Sequence, residues 1–276
     1  MCHLNILIKN KTCLKNKQDL NRCLFFLDQA TQESFKFNRD GEGYYLNKKL
    51  IRSTKKINTF ALSREIYVSK YILTHQRLAT SAKTKEYTQP FESEEFVLMH
   101  NGILNDFLDL KKEKERSDTF LFFKKFQEKF SEKRGERTNR IVVTIKELLD
   151  NITAGFFSIA IYDKEEDVVY YFKDNITNIS FFRNKDLLYI TTSDSNEIYL
   201  KIFTKEYKKM KVFDFCIYKI EVKNDGIYTE KVGKIKATER VYTIFPYNPL
   251  LREQNYDIWG QLKNTEHFGG ISNWNT

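Results

Sequence analysis

Residues 1–9 read MCHLNILIK, and residues 96–105 read FVLMHNGILN. The first stretch carries an apolar, β-branched run from Leu4 to Ile8, the composition of a first strand, so Cys2 sits at that strand's leading end. The second is another strand, EFVLMHN, ended by Gly102, and ILNDFLDLKK (103–112) behind it predicts a helix. These two strands are the fixed points around which the rest of the chain is read.

Between them, Gln18 to Gln32 has helical periodicity with Leu20, Cys23, Leu24 and Leu27 on one side. FNRDGEGYYLN (37–47) holds an Asp-Gly turn followed by a short strand. IYVSKYILTHQR (66–77) reads as a strand running into the polar loop ATSAKTKEYTQPF. Beyond the second strand, a helix starting near Asp118 should bury Phe123, Phe126 and Phe130. Another, from Arg140 to Leu149, should bury Ile141, Ile145, Leu148 and Leu149. GFFSIAIYD, DVVYYFK and LLYITTS then read as successive strands, with Asn184-Lys185 as a turn, and KVFDFCIYKIEV as a further one. Strands, then helices, then strands again, with few βαβ units, point to mainly antiparallel sheets covered by helices.

The composition is that of a folded protein: 41% hydrophobic and 15% aromatic, with only 10 Gly and 3 Pro in 276 residues, which argues against disorder. No apolar run reaches the roughly 20 residues that span a bilayer. HLNILI is followed at once by Lys9 and Lys11, unlike a signal peptide. The expectation is a soluble, cytoplasmic protein. A net charge of +9 is spread through mixed-sign stretches such as KKEKER and KFQEKFSEKRGER, the pattern of solvated helix faces and not of a nucleic-acid groove. Cys2, Cys13, Cys23 and Cys216 lack zinc spacing and the density of a disulfide scaffold. Cys23 reads as a small buried hydrophobe. Only Cys2 stands where chemistry would choose a thiol.

Five elements follow one another: Cys2, HQRLAT at His75 to Thr80, QPF at Gln89 to Phe91, HNG at His100 to Gly102, and SDT at Ser117 to Thr119. Each alone has an ordinary structural reading. An Asp at a helix start is favourable with the helix dipole, and a lone Arg77 is most often an ion-pair partner. In this order they resemble the class II glutamine amidotransferases, whose nucleophile is an N-terminal cysteine freed by removal of the initiator methionine. The resemblance runs from Cys2 to about Asp194. His3 stands where many members carry glycine, Leu78 where some synthases carry an aromatic residue, and Ala82 where glycine is frequent.

The resemblance implies an α+β, four-layer αββα sandwich of the N-terminal-nucleophile hydrolase type. It implies a glutaminase domain over 2–238, and 239–276 reads as an extended tail packed on that domain or on a partner. Cys2 would be the nucleophile, with its own α-amine as base once Met1 is gone. The Asn101 side-chain amide and the Gly102 N–H would hold the oxyanion. Arg77 would fork onto the substrate's α-carboxylate and Asp118 would face its ammonium, with Thr80, Gln89 and His100 shaping the pocket. The implied substrate is L-glutamine, with no cofactor and no metal. The chain shows no S-G-G-x-D-S loop, phosphoribosyl-binding acidic run or sugar-isomerase region, so the expected partner is a separate ammonia-accepting synthetase or ATP-dependent amidoligase. Two other readings remain open at this point: a γ-glutamyl amide hydrolase of the same fold, and a catalytically silent binding or regulatory module.

Overall fold

Leu4, Ile6 and Ile8 alternate with Asn5 and Leu7 along β1 (His3–Lys9), and all five side chains are buried. A strand apolar on both faces must lie inside a sheet covered on both sides. That is its place in the computed structural model, which describes residues 2–10, 13–79, 84–107, 117–193, 196–204 and 206–237. β1 is followed by helix α1 (Lys17–Phe37), the hairpin β2 (Gly41–Leu46) and β3 (Lys49–Ser53), helix α2 (Ser63–Val68) and β4 (Tyr71–Arg77). Next come β5 (Phe91–Glu92), β6 (Phe96–Leu104), α3 (Asp118–Glu132), α4 (Arg137–Leu149), β7 (Gly155–Asp163) and β8 (Val168–Lys173). The described chain closes with β9 (Ser180–Arg183), β10 (Leu187–Thr191), α5 (Glu197–Phe203), β11 (Lys208–Met210), β12 (Cys216–Lys223) and β13 (Gly226–Lys234).

The strands form a seven-stranded sheet in the order β11-β9-β10-β1-β4-β2-β3 and a six-stranded sheet in the order β13-β12-β8-β7-β6-β5. Every pairing between described strands is antiparallel. Three cores define four layers. Leu4, Ile6 and Ile8 meet Val97, Met99, Ala160 and Tyr171 between the two sheets. The outer face of the first sheet packs Leu7, Tyr44 and Ile72 against Cys23, Phe26 and Leu27 of α1. The outer face of the second packs Leu98, Ile159 and Phe172 against Phe122, Phe126, Ile141 and Ile145 of α3 and α4. This is the α+β, αββα sandwich of mainly antiparallel sheets expected from the sequence. No described helix is long and apolar enough to cross a membrane.

Local signals explain most element ends. Asn16 caps α1 by accepting the Asp19 N–H at 3.0 Å. Glu136 caps α4 through the N–H groups of Thr138 and Asn139. Two expectations are corrected. Ile66 to Val68 is the end of α2 and not the start of a strand: Ile66 is buried against the α1 layer, and Ser69 closes the helix by bonding the Glu65 carbonyl at 2.6 Å. The second correction is that β6 does not stop at Gly102. It stays paired with β7 as far as Leu104 opposite Gly155, and Asn105–Phe107 then forms a single 3₁₀ turn. The remainder of the helix expected there, 108–112, lies outside the described residues, as does the expected tail, 239–276.

Phe126 is fully buried, edge-on to Phe96 with ring centroids 5.2 Å apart. Phe126→Ala should therefore cost about 3–5 kcal/mol, read as a lower denaturant midpoint. A change below about 1 kcal/mol, the range of a surface substitution, would mean that α3 is not docked as described.

Candidate functional site

The site is built where β1 begins, β4 ends and β6 passes on the facing sheet. β1 and β4 run antiparallel with His3 opposite Gln76, so one step further out Cys2 stands opposite Arg77. The half-buried Cys2 thiol is gripped by one peptide unit. The Leu78 N–H donates to Sγ at 3.4 Å, and Sγ–H donates to the Leu78 carbonyl at 3.5 Å. Burial raises the thiol pKa. The charge of the chain's amino terminus, the Leu78 hydrogen bond and Arg77 pull it down, and Asp118 pushes it up. Cys2, Arg77 and Asp118 therefore lie within one electrostatic neighbourhood.

Arg77 is 4% exposed, on the face of β4 that looks toward the second sheet. Desolvation lowers its pKa against the charges of Cys2, Asp40 and Asp118, and its Nη1 donates to the Thr84 carbonyl at 3.3 Å. Asp40 holds the turn that follows: its N–H donates to the Arg77 carbonyl at 3.0 Å, and its Oδ2 accepts the Ala79 N–H at 2.8 Å. Asp40 belongs to the Asp-Gly turn visible in the sequence, yet nothing there linked it to Arg77.

On β6 the side chains alternate. His100 faces α3, whereas Asn101 faces the space between the sheets, as Val97 and Met99 do. Asn101 is 3% exposed and its Oδ1 has no hydrogen-bond partner. Buried polar atoms are normally satisfied, so this unpaired carbonyl oxygen leaves the Asn101 amide uncommitted to the protein on that side. Gly102 has φ +146°, and a Cβ there would lie 2.1 Å from the Phe156 carbonyl oxygen, so only glycine fits. Directly across from Asn101 on β7 stands Ser158, fully buried and hydrogen-bonded to the Tyr171 hydroxyl at 2.7 Å. Strand alternation alone gave no signal for that pair.

Several expected residues are committed to the protein itself. Gln89 accepts the His100 N–H at 2.6 Å and donates to the Thr119 hydroxyl at 3.3 Å, tying its loop to β6 and α3. His100 Nδ1 pairs with the same hydroxyl at 2.9 Å. Asp118 accepts the Leu104 N–H at 2.8 Å and the Thr119 N–H at 2.7 Å, so from the first turn of α3 it fixes the end of β6 while facing Cys2 and Arg77 with its charge. His75, buried on β4, reaches across to the His100 carbonyl with Nε2 at 3.2 Å and links the two sheets beside Asn101. Thr80 lies outside the described residues.

No family model and no curated protein matches the chain. Several solved structures share its fold, two of which follow. One is the glutamine phosphoribosylpyrophosphate (PRPP) amidotransferase from B. subtilis complexed with ADP and GMP, with 14% identity and a TM-score of 0.57 over 84% of this chain. The other is described as the allosteric regulatory enzyme of purine biosynthesis, with 15% identity and a TM-score of 0.57 over 83% of this chain. The chain spans about half the length of each, 49% in both cases.

Burial holds the site's histidines neutral. His3 is pushed down to about 4, His75 to about 3, and His100 is also lowered, desolvation being the main cause in each. The unfolded chain takes up these protons near 6.5, so below that pH it binds more protons than the fold. Stability should fall as pH drops from 6.5 toward 3, read as a declining denaturant midpoint. His75→Gln should flatten that acid-side slope. A slope unchanged in H75Q would mean that His75 is already charged in the folded protein.

Proposed function

We propose that this protein hydrolyses the side-chain amide of L-glutamine with the thiol of Cys2, after removal of Met1, and delivers the ammonia to a separate acceptor enzyme such as a synthetase or ATP-dependent amidoligase. The observation that carries this reading is that Cys2 stands opposite Arg77 and feels the charges of Arg77 and Asp118, with the buried Asn101, whose Oδ1 has no hydrogen-bond partner, on the facing sheet. The shared fold with a PRPP amidotransferase supports it.

Each group has a chemical task. The Cys2 proton passes to the freed α-amine, whose ordinary pKa of about 8 suits a base near neutrality. Sγ bonds to the amide carbon, and the carbonyl oxygen becomes an oxyanion. The Asn101 Nδ2 and the Gly102 N–H stabilise that charge. Strand alternation supports the second donor: the His100 N–H points to Gln89, away from β7, so the Gly102 N–H two residues on is directed to the same edge. The C–N bond then breaks, and the proton held on the α-amine leaves with ammonia. Water hydrolyses the thioester to glutamate and restores the thiol. Arg77 forks onto the α-carboxylate of glutamine and Asp118 offsets its ammonium. Thr80 lies outside the described residues and is assigned to the pocket by the sequence resemblance alone, while Gln89 and His100 hold the strand that carries Asn101.

A glutamine-mimicking diazoketone should add one adduct to the protein, mapped to Cys2 of a chain lacking Met1 and blocked by excess glutamine. Retained Met1, or label elsewhere, sinks the proposal. Cys2→Ala should abolish ammonia release with the fold intact. Asn101→Ala should lower kcat by about 100–1,000-fold. Arg77→Lys should raise KM for glutamine, because an ammonium lacks the bidentate fork. Turnover of γ-glutamyl anilides but not of glutamine would reassign the substrate and leave the nucleophile in place.

A further inference from the structure

At the other end of β1 the chain holds a second polar site. Lys9 is the last residue of that strand and is 4% exposed. Its ammonium donates to one acceptor, the Tyr67 carbonyl at 2.9 Å, in the last turn of α2. That bond alone is an ordinary use of a cation at a helix C-terminus. It leaves two N–H donors of a buried ammonium, and among the described residues no carboxylate pairs with Lys9. Buried charges are otherwise paired or fully hydrogen-bonded, because desolvating an ion costs several kcal/mol. Beside Lys9 lies a half-open cavity of about 300 Å³, lined also by Asn10, Leu14, Tyr67, Ser69 and Lys70. That volume is at the lower end of small-molecule sites.

Two ammonium groups line the cavity, and the nearby carboxylates are held by other groups. Lys70 brings a second ammonium, half-exposed and paired with Asp167 at 2.6 Å. The Asn10 amide donates to Asp186 at 2.7 Å, which places that carboxylate on Asn10. The thiols nearest Lys9, Cys13 and Cys23, are pushed upward by burial and contribute no anion near neutral pH. Burial also depresses the Lys9 ammonium, a cost that a bound anion would offset.

We propose that this cavity binds a small molecule through a carboxylate or phosphate group seated on Lys9, with Lys70 at its mouth. The site is separate from the one at Cys2, since seven residue steps of extended strand, about 23 Å, lie between them. Binding there is read without any turnover.

The test uses the whole protein with inorganic phosphate or succinate as probe, against sodium chloride at equal ionic strength. Phosphate, succinate or both should raise Tm above the chloride control and give a measurable Kd by calorimetry. Lys9→Met, which keeps the stem and removes the charge, should weaken that binding by at least about tenfold. Val68 also lines the cavity and is 53% exposed, so Val68→Glu adds a repelling carboxylate without touching the core. That variant should weaken binding too, and it decides the matter if K9M does not fold. A response to phosphate alone or to succinate alone identifies which oxyanion the cavity takes. No response beyond chloride, or equal binding in V68E, overturns the proposal.

Discussion

The register of β1 is the constraint on which the rest depends, and a single buried asparagine holds it. Asn5 lies on the helix-facing side of β1. Its Oδ1 accepts from the Tyr189 and Thr191 hydroxyls at 2.7 Å each and from Asn196 at 3.0 Å, and its Nδ2 donates to Gln76 at 3.0 Å. Gln76 passes the connection to the fully buried Glu42, which also takes the Ile57 N–H at 2.5 Å and faces the Lys56 ammonium at 3.3 Å. The network ties β10, β1, β4 and β2 together at the end of the sheet that carries Cys2. An apolar strand could slide by one residue and lose only packing. Here a slip would strand buried polar groups at about 1–3 kcal/mol each, and it would also turn Cys2 to the other face of the sheet. Burial raises the Glu42 carboxyl, and the Lys56 ammonium, the Ile57 N–H and the Gln76 amide pull against that rise while anchoring the link.

Around the candidate site, burial selects which charges survive. Desolvation keeps His3, His75 and His100 neutral near pH 7, whereas a guanidinium stays protonated even when buried. Among the described residues, Arg77 is therefore the lasting side-chain cation acting on Cys2, set against Asp40 and Asp118. A neutral His75 can bond the His100 carbonyl without adding charge, so it acts as a strut between sheets. The field at the site is set by few groups, each fixed by backbone contacts: Arg77 through the Asp40 turn, and Asp118 through the ends of β6 and α3.

Much of this was legible in the sequence because alternation and helical spacing report burial directly. The α1 face with Cys23, Leu24 and Leu27 and the α3 face with Phe123, Phe126 and Phe130 are buried as their spacing predicts. What was hidden depends on contacts distant in sequence. β3 (KLIRS) is half exposed and charged, and it is a strand because β2 pairs with it. Ile66-Tyr67-Val68 has strand-like composition, but Ile66 docks under α1 and makes a short helix. Gly102 reads as a terminator, yet its positive φ lets β6 continue in register with β7. At the site, Cys2, Arg77, Asn101 and Asp118 stood out by type and order. The ties that position them, Asp40 to Ala79 and Gln89 to His100, join residues whose partners no local pattern names.

The four cysteines show why position and not acidity distinguishes one thiol from the others. Cys13 is pushed up to about 11, and Cys23, buried under α1, is raised further. Cys2 is raised as well, so the fold does not store it as a thiolate. A thiol held in that state reacts only if its proton has somewhere to go during attack. Cys13, Cys23 and Cys216 are interior to the chain, where the neighbouring nitrogen is an amide with no basicity. The proposed removal of Met1 would turn the Cys2 nitrogen into an amine, and the Leu78 peptide unit holds its sulfur in place. In the proposed reaction, burial would suppress ionisation at rest and leave the proton transfer to the step in which the carbon–sulfur bond forms.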